Sequence, residues 1–452
     1  MRAFAGSRPR GITELSACGY KSILRPQKVE IRPLTILAGA NSSGKSSMVQ
    51  PLLLLKQTLD ASFDPGPLLL EGPNVTFTST DQFLSRLGTD QRCEAFEVGI
   101  GVGSATGINL SFKRHPERGI QIHEQSFFGG GRKGILRPDM TSRELEPIFL
   151  AMEEEWPEIL RGLHVRIPTT KQPAEGSMTV TPMIQRNRCF LEIAASLEPF
   201  GTRMTVGLLT KIVEDEIRRL IHLPALRGNP ERTYRVTGVG GTFPGTFEKY
   251  VASVIANWQS EDKEALEALN RSLDSLGLTY RIAARFITEA RVELRVGRLP
   301  HGRREGEDDL VSVADVGSGV SQTLPVLVAL LVAKPGQAVY LEEPETHLHP
   351  RAQSHMAGIM AEAAIRGVRV IAETHSSIIL RSIQTLVATG KLPPGLVKLH
   401  WFTRKAEDGS TEIHSADLDK QGAFGDWPED FDEVALETEK QYLDAAETGH
   451  RS

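Results

Sequence analysis

Cysteine is scarce in this chain, three residues in 452, at Cys18, Cys93 and Cys189. They lie far apart and match neither a disulfide framework nor the paired spacing of a zinc site, which excludes a disulfide-held secreted scaffold. Long apolar runs are missing too. The longest candidate, Val326 to Ala333, falls well short of the roughly 18 residues that a membrane-spanning helix needs. Arg2, Arg8 and Arg10 precede no apolar stretch, so no signal peptide is expected and the profile is that of a cytoplasmic protein. An excess of positive charge is also absent. The net charge of −5 gives no support for nucleic-acid binding by the molecule as a whole, and any such site has to be a local patch. There is no internal repeat and no long low-complexity tract. What remains, 40% hydrophobic and 24% charged residues, is ordinary for a globular chain long enough for two or three domains.

The order of patterns along the chain predicts an α/β fold. Val29 to Ala38 reads as a strand pair or a single strand. A glycine-rich turn and a helix through Leu52 to Leu55 follow, and Pro51 is expected to kink that helix. Phe96 to Phe127 alternates in three short segments broken by glycines and His115-Pro116, the signature of an antiparallel meander. Thr141 to Leu160, Cys189 to Leu223 and Phe247 to Leu276 carry helical spacing with charged faces. Two alternating strands, Tyr280 to Phe286 and Arg291 to Val296, come next. The α/β alternation then resumes with helix Gly319 to Ala333, strand Ala338 to Leu341, helix Pro350 to Ile365, strand Val368 to Ala372 and helix Ser377 to Thr389. These patterns divide the chain into a head segment (1–140), a largely helical insertion acting as an arm or dimerisation region (141–278), a second head segment (279–415) and a tail (416–452).

Four motifs carry chemistry. Gly39-Ala40-Asn41-Ser42-Ser43-Gly44-Lys45-Ser46 is a complete Walker A sequence between a strand and a helix. The loop from Gly39 through Asn41, Ser42, Ser43 and Gly44 to Ser47 supplies backbone N–H groups to phosphates. Lys45 bridges the terminal phosphates, and the Ser46 hydroxyl ligates Mg²⁺. Val339-Tyr340-Leu341-Glu342-Glu343-Pro344 is an apolar strand ending in two acids. Glu342 is expected to reach the metal through water, and Glu343 to act as general base on the attacking water. Val316-Gly317-Ser318-Gly319-Val320-Ser321-Gln322 opens a helix shortly before that strand. Gly317, Ser318 and Gly319 there present free N–H groups to an anion, although a plain glycine turn with a serine cap has the same appearance. Val370-Ile371-Ala372-Glu373-Thr374-His375-Ser376 ends a further strand, and His375 is expected to reach the γ-phosphate and the catalytic water. ATP and Mg²⁺ are the cofactors these motifs call for.

Walker A, a small-residue signature, an acid pair and a strand-end histidine, in this order, resemble the ATPase heads of the ABC type. The run Glu342-Glu343-Pro344-Glu345-Thr346-His347-Leu348-His349-Pro350 is similar to prokaryotic AAA family ATPases related to the overcoming-lysogenization-defect proteins, relatives of RecF and of structural-maintenance-of-chromosomes heads. Leu223 to Arg232 resembles a stretch found in that group. The tail from Ala416 to Tyr442, with Gly425 to Phe431, resembles a small C-terminal domain of unknown function in one subgroup. The resemblance implies a P-loop NTPase head with an antiparallel subdomain, working as a homodimer. Each ATP would lie between one subunit's Walker A loop and the other's Ser318 and Gly319, with Glu345 to His349 forming the D-loop at the seam. The signature departs from the transporter form Leu-Ser-Gly-Gly-Gln. Gln82 and Gln50 both stand as candidates for the Q-loop glutamine.

Other signals weigh less. His347, His349 and His355 lack a zinc-type carboxylate arrangement, and the D-loop accounts for the first two. Asp417-Leu418-Asp419 has the paired acids of a Toprim nuclease, but the chain after His375 is short for that domain. Arg281, Arg285, Arg291, Arg295, Arg298, Arg303 and Arg304 form a basic stretch that could meet a nucleic-acid backbone; a solvated strand face is the plainer reading. The functional expectation is a dimeric ATPase switch in prokaryotic DNA-related processes or anti-phage defence. The alternative is a regulatory ATPase controlling a separately encoded effector such as a nuclease. A transport ATPase is disfavoured, because the stretch between Lys45 and Glu342 is far longer than a compact transport head needs.

Overall fold

The computed structural model describes residues 11–88, 91–152, 179–198, 201–206, 208–298 and 309–425. The end of the expected Thr141–Leu160 helix, Arg303, Arg304 and the tail beyond Gly425 lie outside them. The chain begins with β1 (Ile12–Cys18) and β2 (Gln27–Glu30), then β3 (Leu34–Gly39), which runs through a loop into α1 (Lys45–Asp60). β4 (Ala95–Val102), β5 (Thr106–His115), β6 (Gly119–Gly129) and β7 (Arg132–Leu136) form the expected meander, followed by α2 (Ser142–Ala151). Next come β8 (Thr179–Asn187), β9 (Phe190–Glu198), β10 (Thr202–Val206), α3 (Leu208–Arg219), β11 (Ile221–Leu223) and β12 (Tyr234–Arg235). α4 (Val251–Glu261), α5 (Lys263–Ser275), β13 (Ile282–Thr288), β14 (Arg291–Gly297) and β15 (Leu310–Ser312) lead to α6 (Ser318–Val332). The last elements are β16 (Ala338–Glu342), α7 (Pro350–Ile365), β17 (Arg369–Thr374), α8 (Ser377–Ala388), β18 (Val397–Arg404) and β19 (Thr411–Ala416).

Two six-stranded sheets organise the fold. One is antiparallel in the order β2-β1-β4-β5-β6-β7; the other runs β11-β16-β17-β3-β18-β19. In the second sheet β11, β16, β17, β3 and β18 are parallel, and β19 closes it antiparallel to β18. Every residue of β3 is buried, as a parallel strand covered on both faces must be. Alternation along the strands then sorts side chains between two cores. Leu34, Ile36, Ala38, Val339, Leu341, Val370 and Ala372 face one, together with α4, α5 and α6. Leu37, Ala338, Tyr340 and Ile371 face the other, where the leucines of α1 join the antiparallel sheet. This is an α/β P-loop NTPase fold of the ABC-head type, with the histidine-bearing strand β17 between the Walker A and Walker B strands.

The structure departs from the expected helical insertion. Cys189 to Leu223 is not helical throughout. Within it β9 pairs with both β8 and β10, and only α3 is a helix. The tight turn at Arg188 (φ 53°) and Cys189 brings Asn187 opposite Phe190, and cross-strand pairing then overrides the helix preference of Leu191, Glu192 and Ala194. β11 lies parallel to β16 at the edge of the central sheet. α4 and α5 pack into the same core as β16 and β17, so the C-terminal half of the segment 141–278 belongs to the head's core. α1 continues through Pro51 to Asp60.

Candidate functional site

The loop after β3 is shaped by residues with positive φ. Gly44 caps α1 at φ 109°, a conformation that favours glycine. A Cβ there would lie 2.2 Å from Thr411 Oγ1 and 2.8 Å from Ser22 Oγ, so the helix start is wedged between β19 and the turn after β1. The Lys45 ammonium donates to the carbonyls of Gly39 and Ala40, each at 3.0 Å. Burial pushes its pKa down, against the charges of Glu373, Glu343 and Glu345. The Ser43 hydroxyl is buried with no hydrogen-bond partner. It lines both cavities that flank the loop, an orphaned donor that fits an anionic phosphate ligand.

The larger cavity, about 860 Å³, is lined by Ser42 to Ser47, by Lys21, Arg86, Arg92 and Arg404, and by both glutamine candidates, Gln50 and Gln82. Gln82 is held by Thr78 through its backbone amide (2.9 Å) and hydroxyl (3.0 Å). The smaller, about 330 Å³, lies between Gly39 to Asn41, His375 and the end of β18. Gly317, Ser318 and Gly319 line neither. Gly317 caps α6 and Ser318 opens it, and a Cβ on Gly319 would sit 3.7 Å from the carbonyl of His347 in the D-loop. The signature therefore neighbours the D-loop of its own subunit.

The C-terminal ends of β16 and β17 bring the acids to the loop. Glu342 accepts from His222 Nε2 (3.1 Å) and from the Ala225 amide (3.2 Å). Asn74 Nδ2 lies 2.9 Å from His222 Nδ1; an amide nitrogen can only donate, so His222 carries its proton on Nε2 and gives it to Glu342. Burial raises the Glu342 carboxyl, but the His222 contacts, the Ala225 amide and the charge of Arg227 outweigh it and leave the pKa below the usual range. Glu343 adopts φ 46° and donates its amide to the Glu373 carbonyl (3.0 Å). Its carboxylate lies 3.7 Å from His375 Nε2 and accepts from the Thr346 hydroxyl at 3.3 Å. His375 is pushed below the usual histidine value by burial and by the Lys45 charge. Lys45, Ser46, Glu343 and His375 thus meet in one corner.

The sequence assigns no role to Glu373 or Arg227, and gives Glu345 only a place in the D-loop. Glu373, only 4% exposed, accepts from the Ser46 hydroxyl (2.8 Å) and from the Tyr340 hydroxyl. Burial and the neighbouring Glu342 push it up to about 7. Arg227 is 6% exposed and donates to the carbonyls of Gln322 (3.0 Å) and Glu342 (2.8 Å), while Gln322 Nε2 donates back to the Arg227 carbonyl (2.9 Å). The signature helix is thereby tied to the end of the Walker B strand. Glu345 accepts from the Thr374 hydroxyl (2.6 Å) and the His375 amide (3.0 Å), which fixes the D-loop to the end of β17. An apolar strand ending in an acid was visible at Glu373 as it was at Glu342. Nothing in the sequence placed Arg227.

Among the described residues no group of three or more histidine, cysteine or acidic side chains could hold a metal by itself. Ser46 and the nearby carboxylates are hard oxygen donors, which suit Mg²⁺ when phosphates and water complete its sphere. Three of the five arginines of the basic stretch among the described residues have internal partners. Arg285 lies 3.9 Å from Glu293, Arg291 donates to the Thr233 carbonyl (3.4 Å) and Arg295 to that of Leu310.

Residues 247–381 match the family model described as "AAA domain, putative AbiEii toxin, Type IV TA system". The match covers under a third of the chain and makes that stretch similar to an AAA domain. The matched stretch holds the signature, the acid pair and His375. No curated protein matches the chain. Among solved structures it is similar to an SmcHead bound to the C-winged helix domain of ScpA, at 14% identity and TM-score 0.45, covering 91% of this chain and 98% of that one. The SMC head domain from Thermotoga maritima gives 13%, 0.39, 90% and 100%. The Smc head domain with an extended coiled coil bound to the C-terminal domain of ScpA, from Pyrococcus furiosus, gives 12%, 0.43, 97% and 99%. Likenesses at these TM-scores carry no weight; strand order and loop geometry carry the fold. No helix among the described residues is long and apolar enough to cross a membrane.

Proposed function

We propose that this chain is an ATP-hydrolysing switch of the ABC type, in the branch that includes the overcoming-lysogenization-defect and RecF proteins, and that it closes as a homodimer around ATP. The observation that carries this reading is the division of the site. Lys45, Ser46, Glu343 and His375 share one corner, while Gly317 to Gly319 line no cavity beside it. A second subunit's helix start is what would complete the anion site. Loop amides from Gly39 to Ser47 and the Lys45 ammonium hold the phosphates. Ser46 and the carboxylates beside it would hold Mg²⁺, which would supply charge neutralisation at the phosphates. Glu343 would take the proton of the attacking water, and His375, 3.7 Å from the Glu343 carboxylate and lining the cavity beside Gly39 to Asn41, would face the terminal phosphate. The family description speaks of a toxin, which favours a role in defence.

The second reading, control of a separately encoded effector, is favoured by the C-terminal end of β13. Phe286 and Ile287 stand 58% and 45% exposed there, apolar surface that a protein partner would cover.

Light scattering with Mg²⁺ and a non-hydrolysable ATP analogue tests the sandwich. The expected result is a doubling of mass for the wild type and none for Ser318→Arg, which still binds nucleotide. Nucleotide binding without any change in wild-type mass would overturn it.

A further inference from the structure

We propose that Glu373, on β17, is the positioning residue that orients Ser46 toward the divalent cation accompanying ATP, in place of Glu342 on the Walker B strand; this rests on the nucleotide-binding reading above. The argument begins with strand order. β16, which ends in Glu342, does not pair with β3. β17 does, and its Glu373 is the register partner of Leu37 on one side and of Glu342 on the other. Glu373 is therefore one strand nearer the phosphate loop than the acid that the sequence nominates.

The side chains follow the strands. A hydroxyl that gives a lone pair to a cation must place its proton on an acceptor. The Ser46 hydroxyl donates to Glu373 Oε2 at 2.8 Å, which leaves its lone pairs turned away from Glu373. Tyr340 donates to the other oxygen, so the carboxylate is fixed from both ends and cannot swing off Ser46 without losing a buried bond. Glu342 is occupied differently. His222 Nε2 takes one of its oxygens and the Ala225 amide the other, and His222 is itself fixed by Asn74. Glu342 is anchored to β11 and the segment that follows it, whereas Glu373 is anchored to the loop helix.

The test separates cation from nucleotide. A fluorescent ATP analogue is titrated into the full chain in EDTA and again in Mn²⁺, and the nucleotide-bound Mn²⁺ is read by electron paramagnetic resonance. Wild type, Glu373→Gln and Glu342→Gln are compared. Glu373→Gln has one acceptor oxygen where the carboxylate has two, so it cannot accept from both the Ser46 and the Tyr340 hydroxyls, and it lacks the charge. The expected result is EDTA affinity within twofold of wild type for Glu373→Gln, which also shows that it is folded, and loss of at least tenfold in the Mn²⁺-dependent gain. Glu342→Gln should lose less than threefold of that gain and leave the Mn²⁺ spectrum unchanged. A preserved gain in Glu373→Gln, or a larger loss in Glu342→Gln, overturns the assignment while leaving the P-loop reading intact. Failure of the wild type to bind the analogue with or without cation overturns both.

Discussion

Glu343→Gln is the substitution that separates chemistry from binding most cleanly. Glu343 sits one residue beyond β16, 41% exposed at its side chain, so a carboxamide of the same shape meets no desolvation penalty and no clash. The Thr346 hydroxyl, 3.3 Å away, can donate to the amide oxygen as it does to the carboxylate. The backbone is held separately by the amide bond to the Glu373 carbonyl. Fold and nucleotide affinity should therefore change little, with stability within about 0.5 kcal/mol as for other replacements that leave packing intact. What is lost is the proton acceptor. A positioned general base contributes about 10²–10⁴-fold, or about 3–5 kcal/mol of barrier at about 1.4 kcal/mol per tenfold. Phosphate release at saturating ATP should fall by that factor, while analogue affinity stays within about twofold and ATP holds the closed dimer. His375→Ala, which removes the imidazole 3.7 Å from the Glu343 carboxylate, should lose less. Turnover within tenfold of wild type in Glu343→Gln, with ATP still bound, would refute the base assignment and leave the acid at 343 as a strand end.

Gly44→Ala forces a side chain into φ 109° and to within 2.2 Å of Thr411 Oγ1; the backbone alone costs about 1–2 kcal/mol, and analogue titration should show affinity down tenfold or more. Arg227→Met keeps the alkyl volume but leaves the carbonyls of Gln322 and Glu342 without their buried donor. At about 1–3 kcal/mol for each such group, and roughly 1 kcal/mol per degree for a chain of this length, the melting midpoint should drop by several degrees; a drop under one degree would count against the link. His400 is buried between the Ser415 hydroxyl and the Glu30 carbonyl, and burial depresses its pKa from 6.5 to about 4. The unfolded chain binds its proton first, so this contribution to stability is complete above about pH 6.5 and is lost as the pH falls toward 4. Between pH 7 and 5 the loss is about 2 kcal/mol, which His400→Gln should abolish in thermal melts at the two pH values.

The motifs were legible because each is a contiguous run whose chemistry needs those residues next to one another. A phosphate loop cannot be dispersed, and a strand that ends in two acids is visible as Val339 to Glu343. The strands β8 to β10 were not, because Leu191, Glu192, Ala194 and Ala195 are good helix formers and only pairing across the Arg188–Cys189 turn decides against a helix. β11 escaped for another reason: three residues are too few for a period. Within the site, the sequence could name an acid at 342 and another at 373 but could not rank them. That depends on which strand lies beside β3, a contact between residues more than 300 positions apart.

Arg227 marks the same limit from the other side. It stands in an irregular segment, and Leu226 beside it is 90% exposed while Arg227 is 6% exposed. No local pattern distinguishes an arginine in a loop that faces solvent from one that is driven into the core, since its stem is apolar and its head is charged in either place. What fixes it is the pair of carbonyls, on the signature helix and on the acid-bearing strand, to which its guanidinium donates. Both belong to elements about a hundred positions away. If the two halves of the site are to meet only across a dimer, the signature must be held rigidly to the catalytic strand of its own subunit. A buried guanidinium with one donor for each is a direct way to hold it. The prediction on Arg227→Met therefore has a second arm: analogue affinity of the monomer should survive better than ATP-driven doubling of mass, and equal loss of both would reduce Arg227 to ordinary packing.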